Sequence, residues 1–170
     1  MSERKQILTY VEMNKPEELS PATLASEVTV SEVSPPDAAI NLSFYSRVGA
    51  DWKWTDRLKW SQEQWNRYIS DPNLKTYVGK SRGEDIGFFE CAIQPEGNIE
   101  ITIFGLLPPS IGKGLGGALL SKAVEAAWAI PGIRRVWLHT CNDDHPNALK
   151  NYLKRGFKIY DPKKCQLRGS

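Results

Sequence analysis

The chain has little of what metal centres, disulfide frameworks and membrane anchors require. It contains three cysteines, Cys91, Cys141 and Cys165, and two histidines, His139 and His145, in 170 residues. The cysteines are odd in number and form no C-x-x-C pair. They argue against a disulfide scaffold or zinc cluster and for a reducing compartment. His139-x-Cys141-x-x-x-His145 offers only three ligands with no second cluster, so no metal is expected. No apolar run approaches the ~20 residues of a membrane span. The opening MSERKQILTYVEM lacks the apolar stretch of a signal peptide. A net charge of +2 gives no electrostatic reason to expect nucleic acid or a membrane as partner. A cytoplasmic location is the expectation. No internal repeat is visible, and the final Arg168-Gly169-Ser170 carries no weight.

With 41% apolar residues, the chain can bury one substantial core. The stretch that organises it is Ile99 to Gly117, IEITIFGLLPPSIGKGLGG. Ile99, Ile101, Ile103 and Gly105 alternate with Glu100, Thr102 and Phe104, which predicts a strand with the first set on one face. Pro108 and Pro109 end that strand. Gly112, Gly114, Gly116 and Gly117 then strip side chains from a loop opening into a helix. Bare N–H groups and the positive end of a helix dipole suit a phosphate or diphosphate. A P-loop is excluded, because six residues separate Gly105 from Gly112-Lys113 and Gly114 follows. Gly112, Gly114 and Gly117 do spell the dinucleotide fingerprint G-x-G-x-x-G. However, LLPPSI intervenes where a tight turn belongs, and Asp143 is only a loose match for a ribose-binding carboxylate.

The remaining chain reads as follows. Residues 7–12 suggest a short peripheral strand, and the segment from Asn14 to Thr23 a loop. Val28, Val30 and Val33 mark a strand. Ser34 before Pro35-Pro36 reads as an N-cap, opening a helix to about Gly49 that buries Ile40, Phe44 and Val48. An aromatic run follows: Asp51, Trp52, Lys53, Trp54, Arg57, Trp60, Trp65 and Tyr68. Ser61 and Gln64 form a capping box for a second helix through Ile69. These rings serve either as core packing or as one wall of an acceptor pocket, where Asp51 or Asp56 would face a substrate ammonium. Residues 74–80 and 85–94 read as a hairpin turning at Ser81-Arg82-Gly83-Glu84. Leu115 to Ala129 forms a helix burying Leu115, Leu119, Leu120, Ala123, Val124 and Ala127, stopped by Pro131-Gly132. Residues 134–141 form a strand parallel to the central one, since strand, helix and strand make a βαβ unit. A last helix spans 147–155, Gly156 ends it, and 157–160 closes the sheet.

The tail Ala148-Leu149-Lys150-Asn151-Tyr152-Leu153-Lys154-Arg155-Gly156-Phe157 resembles the ending Ala-x-x-x-Tyr-x-x-x-Gly-Phe of the GNAT N-acetyltransferase superfamily. The loop Gly112-Lys113-Gly114-Leu115-Gly116 resembles that superfamily's Arg/Gln-x-x-Gly-x-Gly/Ala signature, although Ser110-Ile111 stands where a basic or amide residue is common. Together they cover residues 99–157 in the right order. The resemblance implies an α/β (α+β mixed-sheet) fold: six to seven strands, mostly antiparallel with a parallel pair at a central splay, flanked by about four helices. It implies one domain over residues 1–170, with 1–24 as an N-terminal strand and loop extension and 99–160 as the acetyl-CoA-binding core.

Acetyl transfer from acetyl-CoA to a primary amine, by direct attack in a ternary complex, is the activity implied. The backbone of Phe104, Gly105 and Leu106 would pair with the pantetheine arm. The loop Ile111, Gly112, Lys113, Gly114, Leu115, Gly116 and Gly117 would take the diphosphate. Cys141 and His145 would border the cofactor, His145 standing where an asparagine is frequent. Tyr152 would touch the cofactor and protonate the leaving thiolate. Glu100 is the leading candidate for the base, read as sharing a strand face with Phe104, with Glu90 and His139 as alternatives. Trp52, Trp54, Glu90 and His139 would surround the acceptor. A small-molecule amine is favoured as partner, because the aromatic run suits a closed pocket. A protein or peptide amine, or a non-catalytic acyl-CoA sensor, is the alternative, and a homodimer is compatible.

Overall fold

The computed structural model describes residues 6–52 and 54–163. Lys53, Cys165 and Arg168-Gly169-Ser170 lie outside these residues. In chain order the elements are β1 (Leu8–Met13), β2 (Val28–Glu32), α1 (Ala38–Gly49), α2 (Gln62–Ile69), β3 (Leu74–Ser81), β4 (Glu84–Gln94), β5 (Asn98–Leu106), α3 (Leu115–Ala129), β6 (Arg135–Cys141), α4 (Ala148–Lys154) and β7 (Lys158–Tyr160). They form one mixed sheet in the order β2-β3-β4-β5-β6-β1-β7. Every strand pair is antiparallel except β5 with β6. No helix among the described residues is long and apolar enough to cross a membrane.

The helices cover both faces of the sheet. On one face α3 buries Ala118, Leu119, Leu120, Ala123, Val124 and Ala127 against Ile99, Ile101, Val136 and Leu138, and Tyr152 of α4 joins this core. On the other face Phe44, Tyr45 and Val48 of α1 and Trp65 of α2 pack on Phe88 and Leu107. Leu115, at the mouth of α3, is only partly buried against the first core. The β3–β4 hairpin turns at Arg82 and Gly83, both at positive φ (54° and 78°), the twist a two-residue hairpin needs.

Four details depart from the sequence expectation. First, α1 is capped by Asp37, whose carboxylate accepts the Ala39 N–H at 2.9 Å, and not by Ser34. Pro36 keeps Pro35 out of the helical region, so the helix starts only beyond the pair. Second, Ile40 is half-buried, whereas Asn41 and Tyr45 are buried on α1. Asn41 faces inward because its amide has two buried acceptors, Thr76 and Glu90, each at 2.9 Å. Third, β1 is not peripheral. It lies between β6 and β7, with Val11 and Met13 fully buried.

The fourth departure positions the site. Glu90 pairs with Ile103, while the next residue, Cys91, pairs with Ile101, so Thr102 is an extra residue in β5. Such a bulge shifts the alternation by one. Ile99 and Ile101 face α3, but Ile103 packs with α1 and α2, and Phe104 and Leu106 turn to the α3 side. Ile103 and Gly105 therefore do not share a face with Ile99 and Ile101. Likewise Glu100 and Phe104 lie on opposite faces.

Candidate active site

β5 and β6 pair only from Asn98–Arg135 to Glu100–Trp137. Beyond Glu100 no strand pairs with that edge of β5 among the described residues. The gap opens into a cavity of about 790 Å³. Its walls come from the β5 tip, the α3 entry, the β6 end, α4 and the segment after α1.

The first wall is backbone. Gly112 (φ 84°) and Gly114 (φ 77°) adopt left-handed conformations that favour glycine. Nothing lies within 4 Å of where a Gly112 Cβ would stand, so that side of the loop is open. Gly114 caps α3 without a side-chain bond, and the first turn holds no acidic residue. The 15-residue α3 thus presents uncapped N–H groups to the cavity, the chemistry that an anion completes. Arg155 adds a cation nearby. It is 7% exposed, its Nε has no hydrogen-bond partner, and its Nη1 stands 3.4 Å from the position of a Gly117 Cβ. A buried guanidinium beside a helix N-terminus is an anion-seeking arrangement.

Tyr152 closes the floor of this half. It is 7% exposed, with its ring edge-on to Phe104 and Phe157. Burial, and then the charge of Asp144, push its phenol far above the ordinary range. The hydroxyl therefore keeps its proton at neutral pH.

The opposite wall is side chain. Tyr45, Val48, Trp52, Trp54, Asp56 and Arg57 line it. Trp52 reaches across to His145, with ring centroids 5.1 Å apart, so the two rims meet. His139 lines the cavity, and its Nδ1 lies 3.7 Å from Glu100 Oε2. Burial raises Glu100 above the usual carboxylate range, against the opposing pull of His139 and a bond from Gln94.

The cavity brings together Phe104, Gly105, Leu106, Ile111, Gly112, Gly114, Gly116, Gly117, Cys141, His145, Tyr152, Trp52, Trp54 and His139. Lys113, Leu115, Glu100 and Glu90 are outside its lining. Glu90 is fully buried and saturated: Oε2 accepts from Asn41, while Oε1 accepts from Arg57 at 3.0 Å and from the Tyr68 hydroxyl. Burial and Glu90 raise the Tyr68 phenol, against the pull of Arg57. Asp51 is exposed and does not line the cavity. Sequence reading gave no role to Arg57, Tyr45, Asn151 or Arg155. Arg57 alone carried a signal, a cation set among aromatic residues. Among the described residues no group of three or more His, Cys, Asp or Glu side chains is placed to hold a metal.

The profile of the acetyltransferase (GNAT) family matches residues 39–157. An uncharacterized N-acetyltransferase of Mycobacterium tuberculosis is 31% identical over 101 residues, 58% of this chain and 62% of that protein. The chain thus spans less than two thirds of the curated relative it matches. Among solved structures, spermidine N-acetyltransferase from Vibrio cholerae, in complex with CoA and spermine, superposes with a TM-score of 0.65 at 20% identity, covering 80% of this chain and 83% of that one. A GCN5-related N-acetyltransferase from Kribbella flavida gives 0.63 at 17% identity, over 91% of this chain and 56% of that one. At such identities the structures speak for the fold.

Proposed function

The chain belongs to the GNAT acetyltransferase family, and from that premise we propose that it transfers an acetyl group from acetyl-CoA to the primary amine of a small molecule, by direct attack in a ternary complex. One observation carries this reading. An open glycine turn at an uncapped helix, an unpaired strand edge and a protonated buried tyrosine border the same cavity.

The residues fit the cofactor. The amides of Gly112 to Gly117 would hold the diphosphate, with the Arg155 guanidinium behind the first helical turn. The free edge of Phe104, Gly105 and Leu106 would pair with the pantetheine arm. Residues 99–160 thus form the proposed cofactor-binding core within a single domain. When bound, acetyl-CoA supplies the acetyl group as a thioester.

The chain's own residues do the rest. An amine attacks only when neutral, so its ammonium proton must leave. We assign that proton to the His139–Glu100 pair, with His139 as the member at the cavity wall and Glu100 stabilising the imidazolium. Tyr152 holds a proton at its Oη for the departing sulfur. The contact of Trp52 with His145 would narrow the mouth of the cavity and supports a small acceptor.

Calorimetric titration with acetyl-CoA, with NADH and NADPH as controls, tests the cofactor. Micromolar binding of acetyl-CoA alone is expected, followed by thiol release with a panel of amines. Binding of a nicotinamide nucleotide and not of acetyl-CoA would overturn the reading.

A further inference from the structure

The acceptor wall holds a cation whose hydrogen-bonding capacity is less than half used. Resting on the transfer reading above, we propose that Arg57 recognises a carboxylate on the acceptor, so that the substrate is a small amine bearing a carboxylate and an apolar body, as an amino acid does.

A guanidinium offers five N–H donors in one plane. Arg57 Nη1 gives one to Glu90 Oε1 and Nη2 gives one to the Tyr68 hydroxyl, both at 3.0 Å. Among the described residues its side chain makes no other hydrogen bond, and Arg57 lines the cavity. The group is also held still. Its Cζ lies 4.4 Å from the Tyr68 ring centroid, 5.1 Å from that of Trp60 and 5.6 Å from that of Tyr45. Glu90, at 0% exposure, is itself fixed by Asn41, whose amide also reaches Thr76. A chain of buried polar contacts thus clamps the guanidinium and leaves Nε–H and one N–H on each Nη without an acceptor among the described residues, on a side chain that lines the cavity. A fixed fork is the donor set that a planar carboxylate matches.

Charge and shape point the same way. Glu90 already balances Arg57, so the wall is stable without a ligand anion, and a carboxylate gains oriented hydrogen bonds. Asp56 lies one residue earlier on the same turn and also lines the cavity. It is exposed, so water screens it, whereas Arg57 is held in a drier setting. A polycation is therefore the poorer guest. Val48, Trp52, Trp54 and Ile103 supply apolar surface to the same cavity.

The test pairs each amino acid with its amide, and adds a polyamine, in a thiol-release assay on the full chain. Wild type is expected to prefer the carboxylate by about tenfold or more in kcat/KM, the effect of charge-assisted hydrogen bonds. Arg57→Lys is expected to reduce that preference by about tenfold. A structural role alone would lower both acceptors together and leave the ratio intact, overturning the proposal. So would a wild-type preference for the amide or the polyamine. Ligand-observed NMR of the same pairs on the CoA-saturated wild type needs no variant. Carboxylate-selective binding without any acetylation would sink the transfer reading and keep this one. Acetylation without carboxylate selectivity would do the reverse.

Discussion

The two walls of the cavity are built by opposite means. The glycine wall is mostly local: one strand, one loop and one helix entry, contiguous in sequence and presenting backbone N–H groups, with only Arg155 brought in from afar. The aromatic wall is assembled from distance. Arg57 meets Glu90 across 33 residues, and Asn41 meets Glu90 across 49. A backbone wall recognises what every cofactor of one kind shares, such as a diphosphate or an amide arm. A side-chain wall is where one acceptor is told from another.

The sharpest way to break the first wall is to fill it. Gly114→Glu forces a side chain into a left-handed position, with its Cβ 3.1 Å from Leu24, and sets a negative charge at the helix entry. We expect acetyl-CoA affinity to fall by at least about 1,000-fold, ~4 kcal/mol, in calorimetry. Retained affinity would place the cofactor elsewhere.

The second wall breaks through its buried anchor. Glu90→Ala leaves the Arg57 charge without its carboxylate, and strips an acceptor from both Asn41 and Tyr68. Burial alone would lower the Arg57 pKa, yet Glu90 and Tyr68 raise it above the ordinary value, which marks how far the cation depends on them. Removing one partner of such a pair costs about 3 kcal/mol, read as a lower midpoint in urea unfolding. If the walls are independent, acetyl-CoA affinity should move by less than about twofold. A parallel loss of affinity would show them to be coupled.

How much of each wall was legible in the sequence follows the same division. The glycine loop, the bounds of α3 and the parallel β6 strand announce themselves in consecutive residues. So does the α2 capping box, found as read: Gln64 N–H to Ser61 at 3.2 Å and Ser61 N–H to Gln64 at 2.8 Å. The β5 bulge does not, because Ile99, Ile101 and Ile103 keep alternating in the letters while Thr102 drops out of the ladder. That one residue puts Glu100 and Phe104 on opposite faces, while the β5–β6 pairing ahead of it sets Glu100 beside His139. Glu90 likewise gives no sequence sign of being buried, since all three side chains that satisfy it come from other elements.

Tyr152 stands between the walls, and it tests whether the cavity does chemistry or only binds. Tyr152→Phe removes the hydroxyl and keeps the ring that packs on Phe104 and Phe157. We expect kcat to fall by about 10-fold or more while acetyl-CoA affinity holds, since a general acid contributes ~10²–10⁴. The sign of its pH dependence follows from the raised phenol. A group whose pKa is raised keeps its proton as pH climbs through the unperturbed value. The wild-type rate should therefore show no descending limb from Tyr152 below about pH 10. An unchanged kcat in the variant would remove Tyr152 from the mechanism.

The smallest expected effect isolates the side-chain wall without touching a cavity residue. Ser61 caps α2, and α2 carries Tyr68, which bonds both Arg57 and Glu90. Ser61→Ala removes the acceptor for the Gln64 N–H and should cost about 1 kcal/mol, a shift of a few degrees in Tm. Fraying of that first turn loosens the segment that positions Tyr68, and through it the Arg57 fork. Acetyl-CoA affinity, which we assign to the other wall, should stay as it is, while KM for the preferred amine rises by about twofold. Equal losses at both sites would mean that a cap on α2 is felt at the glycine loop across the sheet, and the division into two separately tuned walls would have to be given up.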